Sequence, residues 1–161
     1  MNPDTPYHIV FAIDFSEMTD AVIQAAIAQA QRHRRPTLHA VCALDIQPNP
    51  LAPPETADEE LDAIETAMRA RVAGAFAAAG HDIDAPGDWS IHLHARSGRP
   101  AETIAALAEE LRADVIILGR HGRTGGRPFI LGSVPIRLMQ LARCTVMVVQ
   151  PKNYPPVVTG D

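Results

Sequence analysis

The residues best equipped for chemistry stand together in one stretch, GRHGRTGGRPFILGS, residues 119–133. It holds five glycines and three arginines and no carboxylate. Glycine leaves backbone amides unshielded by a Cβ, so an anion can approach them closely. The run before it, DVIILG (114–119), reads as an apolar buried strand. The run after it, SVPIRLMQLAR (133–143), reads as a helix. Gly132 and Ser133 therefore fall at a helix entrance, where N–H groups lack internal partners and the helix dipole is positive. Ser133 adds a hydroxyl donor. Bare amides, a dipole and nearby cations make a cradle for phosphate. The charge pattern agrees: no acidic residue occurs between Asp114 and Asp161, an interval carrying Arg120, Arg123, Arg127, Arg137, Arg143 and Lys152. The whole chain has a net charge of −5, so the positive field is local.

The familiar phosphate loops do not match. A P-loop needs G-x-x-x-x-G-K-[ST], and the stretch has no lysine. A dinucleotide fold needs G-x-G-x-x-G after the first strand, where this chain reads IDFSEM. The G-x-S-x-G hydrolase elbow is absent. Aromatics are 4% of residues, too few to stack single-stranded bases, and the acidic balance opposes general nucleic-acid binding. Cys42 and Cys144 sit in apolar runs outside any C-x-x-C pair, the pattern of buried reduced thiols. His92 and His94 in IHLHA share one strand face, but no third metal ligand is identifiable, so ordinary surface histidines are expected and no metal site. The opening MNPDTPYHIV lacks a signal-peptide pattern and no apolar run is long enough for a membrane span; a cytoplasmic protein without membrane contact is expected.

The elements that must position the cradle alternate regularly. YHIVFAI (7–13), TLHAVCALD (37–45), WSIHLHA (89–95), DVIILG (114–119) and TVMVVQ (145–150) read as strands. Between them, residues 16–33, 56–80, 101–113 and 133–143 have helical spacing. Ser16 is placed as an N-cap, Gly80 as a helix stop and Pro100 at a first helical position. Four prolines between residues 46 and 55 make that segment a loop. Strand–helix alternation predicts an α/β domain with a parallel sheet covered on both faces. One domain is expected over residues 1–161, with its core at about 7–150 and a proline-rich tail at 151–161. In such sheets ligands bind beyond the carboxyl ends of the strands, where the glycine stretch lies.

Gly119-x-x-Gly122, nine residues, then Gly132-Ser133 resembles the nucleotide-binding signature of the universal stress protein family, as do the AIDFS turn and the closing CTVMVV strand. The resemblance covers residues 7–150 and implies a doubly wound, Rossmann-like five-stranded parallel sheet of order 3-2-1-4-5. It implies a homodimer through the last strand (145–150) and a stress-response role with adenine nucleotide as ligand. The glycine pattern is that of the ATP-binding subgroup. By position, Asp14 would meet the nucleoside, Ala12 and Ala43 would shape the adenine slot, and Gly119, Arg120 and Gly122 would wrap ribose and phosphate. Gly132, Ser133 and Val134 would hold the phosphates, with Mg²⁺ carried by them; ADP or AMP is an alternative ligand to ATP. Pro135 stands where the family commonly has Ser or Thr, which removes one donor. Ala12 replaces a frequent proline and Ala43 a usual valine. No positioned general base or Walker-type carboxylate is evident, so a binding module is expected, with at most slow ATPase activity. The other readings are a family member without nucleotide binding that acts as a dimerisation or partner-docking module, and a nucleotide-processing enzyme.

Overall fold

A computed structural model describes residues 5–45, 55–85, 87–122 and 131–152. Five strands and four helices alternate: β1 (Tyr7–Ala12), α1 (Thr19–Ala30), β2 (Pro36–Leu44), α2 (Glu55–Ala78), β3 (Ser90–Ser97), α3 (Pro100–Glu110), β4 (Val115–Gly119), α4 (Ser133–Leu141) and β5 (Thr145–Val149). All pairings are parallel and the order is β3-β2-β1-β4-β5, as expected. Order reverses between β1 and β4, so the crevice at their carboxyl ends is the switch point of the sheet.

Side-chain alternation along the strands divides the core in two. Ile9, Phe11, Leu38, Ala40 and Ile117 pack with Val22, Ile27, Met68 and Phe76 of α1 and α2. Val10, Val41, Ile116 and Leu118 face Ile104, Leu107 and Leu138 of α3 and α4. Central strands are buried on both faces, which is why they read as continuous apolar runs. Phe11 and Phe76 are fully buried, each contributing roughly 2–3 kcal/mol relative to exposure.

Local signals explain most boundaries. Gly80, at φ 83, ends α2, with His81 donating to the Phe76 carbonyl at 2.9 Å. Pro100 opens α3 where its missing N–H costs nothing. Three expectations shift. Residues 16–18 form a turn and α1 begins at Thr19, with Met18 rather than Ser16 at its N-cap. Pro36 begins β2 beside Tyr7, a first-residue position that needs no ladder donor. Leu141, not Arg143, ends α4. The prolines of 46–54, Arg123, Arg127 and the tail beyond Lys152 lie outside the described residues.

Candidate functional site

The chain leaves β1 when Ile13 donates its N–H to Val41 O at 2.8 Å, and Asp14 starts the turn. Asp14 Oδ1 accepts the Ser16 N–H at 2.9 Å and the Thr19 hydroxyl at 3.4 Å. This is an Asx-type turn, in which the carboxylate replaces backbone partners. Ser16 Oγ in turn accepts the Met18 N–H at 3.2 Å. Between Asp14 and Ser16, Phe15 adopts φ 60 and leaves its ring 43% exposed. A bulky residue in the left-handed region is strained, and such strain collects at functional turns. Sequence reasoning passed over Phe15; the available signal was an aromatic residue in an otherwise polar turn.

Three glycines bring the second half of the site against this turn. A Cβ on Gly122 would stand 3.1 Å from Asp14 Oδ2, so the glycine loop runs directly past the carboxylate. A Cβ on Gly119 would lie 2.5 Å from Met18 Cβ; here glycine lets the end of β4 close onto the start of α1. Gly132 has an ordinary extended backbone, φ −61 and ψ 160, but its Cβ would stand 3.1 Å from Arg120 O. Close approach, not a special dihedral, requires glycine there.

Gly132 also donates its N–H to Arg120 O at 2.9 Å, which pins α4's entrance to the end of β4. That amide is therefore engaged within the protein rather than offered outward. The helix ladder starts with Ile136 N–H to Gly132 O at 3.3 Å. Ser133 and Val134 supply the N–H groups of the first turn, and Pro135, at the third position, supplies none. Ala12, Ala43 and Val134 are half-buried against the same α3/α4-side core, so the small side chains at the ends of β1 and β2 share a face with α4's start.

The charge distribution is less one-sided than the chain order implies. Arg137 Nε donates to Glu102 at 3.1 Å, and Arg143 pairs with Glu109 at 3.0 Å. Both glutamates belong to α3, which packs beside α4. Hydrogen bonding to its own backbone amide and to Arg137 holds the Glu102 carboxyl below its ordinary range. Arg120 donates to Gln150 Oε1 at 3.0 Å and its backbone N–H to Val149 O at 3.0 Å, tying it to the end of β5. His121 is 5% exposed.

The model of the universal stress protein family matches residues 7–150. The chain belongs to that family. Universal stress protein MJ0531 of Methanocaldococcus jannaschii is 38% identical over 65 residues, which is 39% of this chain and 38% of that protein. The chain thus matches well under half the length of this curated relative. Among solved structures, universal stress protein UspA from Lactobacillus plantarum superposes with a TM-score of 0.70 at 25% identity, covering 89% of this chain and 97% of that one. A universal stress protein from Archaeoglobus fulgidus, in complex with dAMP, superposes with a TM-score of 0.60 at 20% identity, covering 89% and 98%.

Other features of this universal stress protein refine the sequence reading. Cys42 is buried, Cys144 is half-buried and neither is in a disulfide; burial, with Asp114 nearby, pushes the Cys144 thiol up. Trp89 packs edge-on against Phe76, with ring centroids 6.2 Å apart. The histidine expectation needs correction. His94 is half-buried and its Nε2 lies 3.1 Å from Nδ1 of the buried His39. His92, though exposed, stacks on the same ring, so neither is simply a solvated surface histidine. The missing signal was His39, hidden in an apolar strand. No helix among the described residues is long and apolar enough to cross a membrane.

Proposed function

We propose that this family member binds an adenine nucleotide, ATP being the first candidate and ADP or AMP the alternatives, and that it acts as a stress-response binding module in the cytoplasm. One observation carries the reading. The Asp14 carboxylate, the Gly122 backbone and the first turn of α4 are gathered at the switch point, held by the Gly132–Arg120 hydrogen bond. A carboxylate suits ribose hydroxyls, and the Ser133 and Val134 amides suit phosphate. The small side chains of Ala12 and Ala43 would shape the slot for the base. Gly119 shapes the floor through its contact with Met18. The dAMP complex of the archaeal neighbour supports an adenine ligand in a fold of this kind. Mg²⁺ would travel with the phosphates. Asp14 is engaged in its own turn, and among the described residues no base is positioned to activate water, so any ATPase activity is slow.

Homodimerisation through β5 belongs to the same proposal. β5 is an edge strand, and Ile136 and Met139 on neighbouring α4 are 43% and 51% exposed. The 1–161 chain is taken as a single domain.

Calorimetric titration with ATP, ADP and AMP tests the reading, and binding of at least one below millimolar concentration is expected. Silence from all three at millimolar ligand would reject it. A second reading, a docking module without nucleotide, draws on Pro135 and on the engagement of the Gly132 amide. It predicts a stable dimer that ignores all three nucleotides.

A further inference from the structure

Away from the glycine turn, the densest group of titratable side chains lies where β1, β2 and β3 run together. Register sets His39 between Val10 of β1 and His92 of β3, with His8 beside Thr37 and His94 beside Val41. His39 is 4% exposed. Its Nε2 is 3.3 Å from His8 Nδ1, and its Nδ1 is 3.1 Å from His94 Nε2. Three imidazoles thus make a continuous nitrogen-to-nitrogen chain across three strands. His92 stacks over the middle ring with centroids 5.0 Å apart. Because His39 turns opposite nitrogens to its neighbours, the rings do not converge on one point; no group of three or more such ligands among the described residues is disposed to hold a metal ion.

Proton counting gives this chain a definite capacity. A neutral imidazole has one N–H and one acceptor nitrogen, and each contact needs a single proton between its two nitrogens. Three neutral rings bring three protons. Two fill the contacts, and the third sits on an outer nitrogen, His8 Nε2 or His94 Nδ1. One added proton fills the other outer nitrogen, and both contacts survive. The next must enter a contact, setting two N–H groups against each other.

We propose that the His8–His39–His94 chain is an acid sensor: it stores one proton with the sheet intact, and a second proton breaks the β2–β3 contact and releases edge strand β3. The break falls there because His8 and His39 join two interior strands, whereas His94 sits on the sheet's edge. The surroundings favour the same order of events. Burial, and then the charges of His94, His92 and His8, hold His39 down to about 3, so the first proton does not rest on the middle ring. Burial also lowers His94, helped by Arg96 and His92 and opposed by Glu110 of α3 and Glu65 of α2. Glu110 is shared with Arg96 at 3.3 Å, and Asp114 at the foot of β4 accepts the His8 backbone N–H at 2.8 Å.

Imidazole nitrogen NMR between pH 8 and pH 3, combined with amide exchange, tests this on the full chain. The three rings should shift together on taking up the first proton while β3 amides remain protected. In the second step, protection of the β3 amides bonded to β2 should fall about tenfold per pH unit, as uptake of one proton requires, while β4 amides hold. His39→Phe should uncouple His8 from His94 and abolish the acid step. Should that variant not fold, His94→Gln removes the outer ring and should likewise abolish it. Independent titration of the three wild-type histidines would overturn the proposal. So would acid loss of β3 protection that persists unchanged in His94→Gln.

Discussion

At the carboxyl ends of β1 and β4 the chain strips side chains away, whereas along β1, β2 and β3 it crowds four imidazoles together. Gly119, Gly122 and Gly132 each sit where a Cβ would meet an atom within about 3 Å, at 2.5, 3.1 and 3.1 Å. His8, His92 and His94 gather around one buried ring, that of His39, and touch it. In the first region backbones approach one another and side chains are the obstacle. In the second, the backbone is engaged in the sheet and the side chains carry all remaining polarity. The first is organised to receive charge from outside, the second to keep charge out until acid forces it in.

The sharpest way to break this contrast is to put a side chain into the bare region. Gly119→Val sets a Cβ against Met18 Cβ, 2.5 Å away on another element, where no flexible side-chain end can yield. A loss of about 3 kcal/mol is expected, at the upper end for overpacking, read as a lowered urea midpoint with unchanged slope. A midpoint within experimental error of wild type would mean that the end of β4 and the start of α1 are not in contact.

The histidine region answers to pH. Unfolded, His39 takes its proton near 6.5; folded, it does so at about 3. Between these values the unfolded chain holds more protons, so stability falls as pH falls and is fully retained above 6.5. The slope from this one residue is about 1.4 kcal/mol per pH unit, and His94 adds in the same direction. His39→Leu should flatten the dependence of the urea midpoint between pH 6 and pH 4 by one proton's worth. An unchanged slope would show that His39 is not the group held neutral.

The two regions were unequally legible in the sequence. The parallel sheet and the glycine spacing were readable because strands buried on both faces are written as apolar runs, and phosphate loops as glycines at fixed intervals, whereas the strand order came only with the resemblance to the family. What each glycine is for was not readable: Gly119 answers to Met18 and Gly132 to Arg120 O, contacts made only on folding. The positive interval after Asp114 misled for the same reason, since Glu102 and Glu109 neutralise Arg137 and Arg143 from another helix. The histidine chain stayed hidden because its members come from three strands, with 31 residues from His8 to His39 and 55 from His39 to His94. Only register brings them together.

Asp14 separates two roles that its position combines. Asp14→Asn keeps an acceptor for the Ser16 N–H and so preserves the turn, but removes the charge facing Gly122. If the carboxylate holds ribose hydroxyls, affinity for the bound nucleotide should weaken about tenfold, roughly 1.4 kcal/mol, with melting unchanged. Equal affinities would restrict Asp14 to shaping the turn.

The smallest effects come from the two residues other than glycine held at positive φ among the described residues, Phe15 at 60 and Arg112 at 51. Arg112 follows the end of α3, where Ala113 donates to the Ala108 carbonyl at 2.8 Å, a helix stop that glycine adopts without strain. Arg112→Gly should therefore raise stability by about 0.5–1 kcal/mol. Phe15→Gly should relieve similar strain, offset by whatever its ring packs against; with 43% exposure, that offset is small. The two substitutions differ in ligand binding. At the end of α3, relief of strain has no functional cost, and nucleotide affinity stays the same. At the Asp14 turn the strained residue sits beside the candidate site, and Phe15→Gly should weaken nucleotide binding while the protein becomes no less stable. Unaltered affinity in both variants would make Phe15 a second helix-end accident and leave the bare region without its one large side chain.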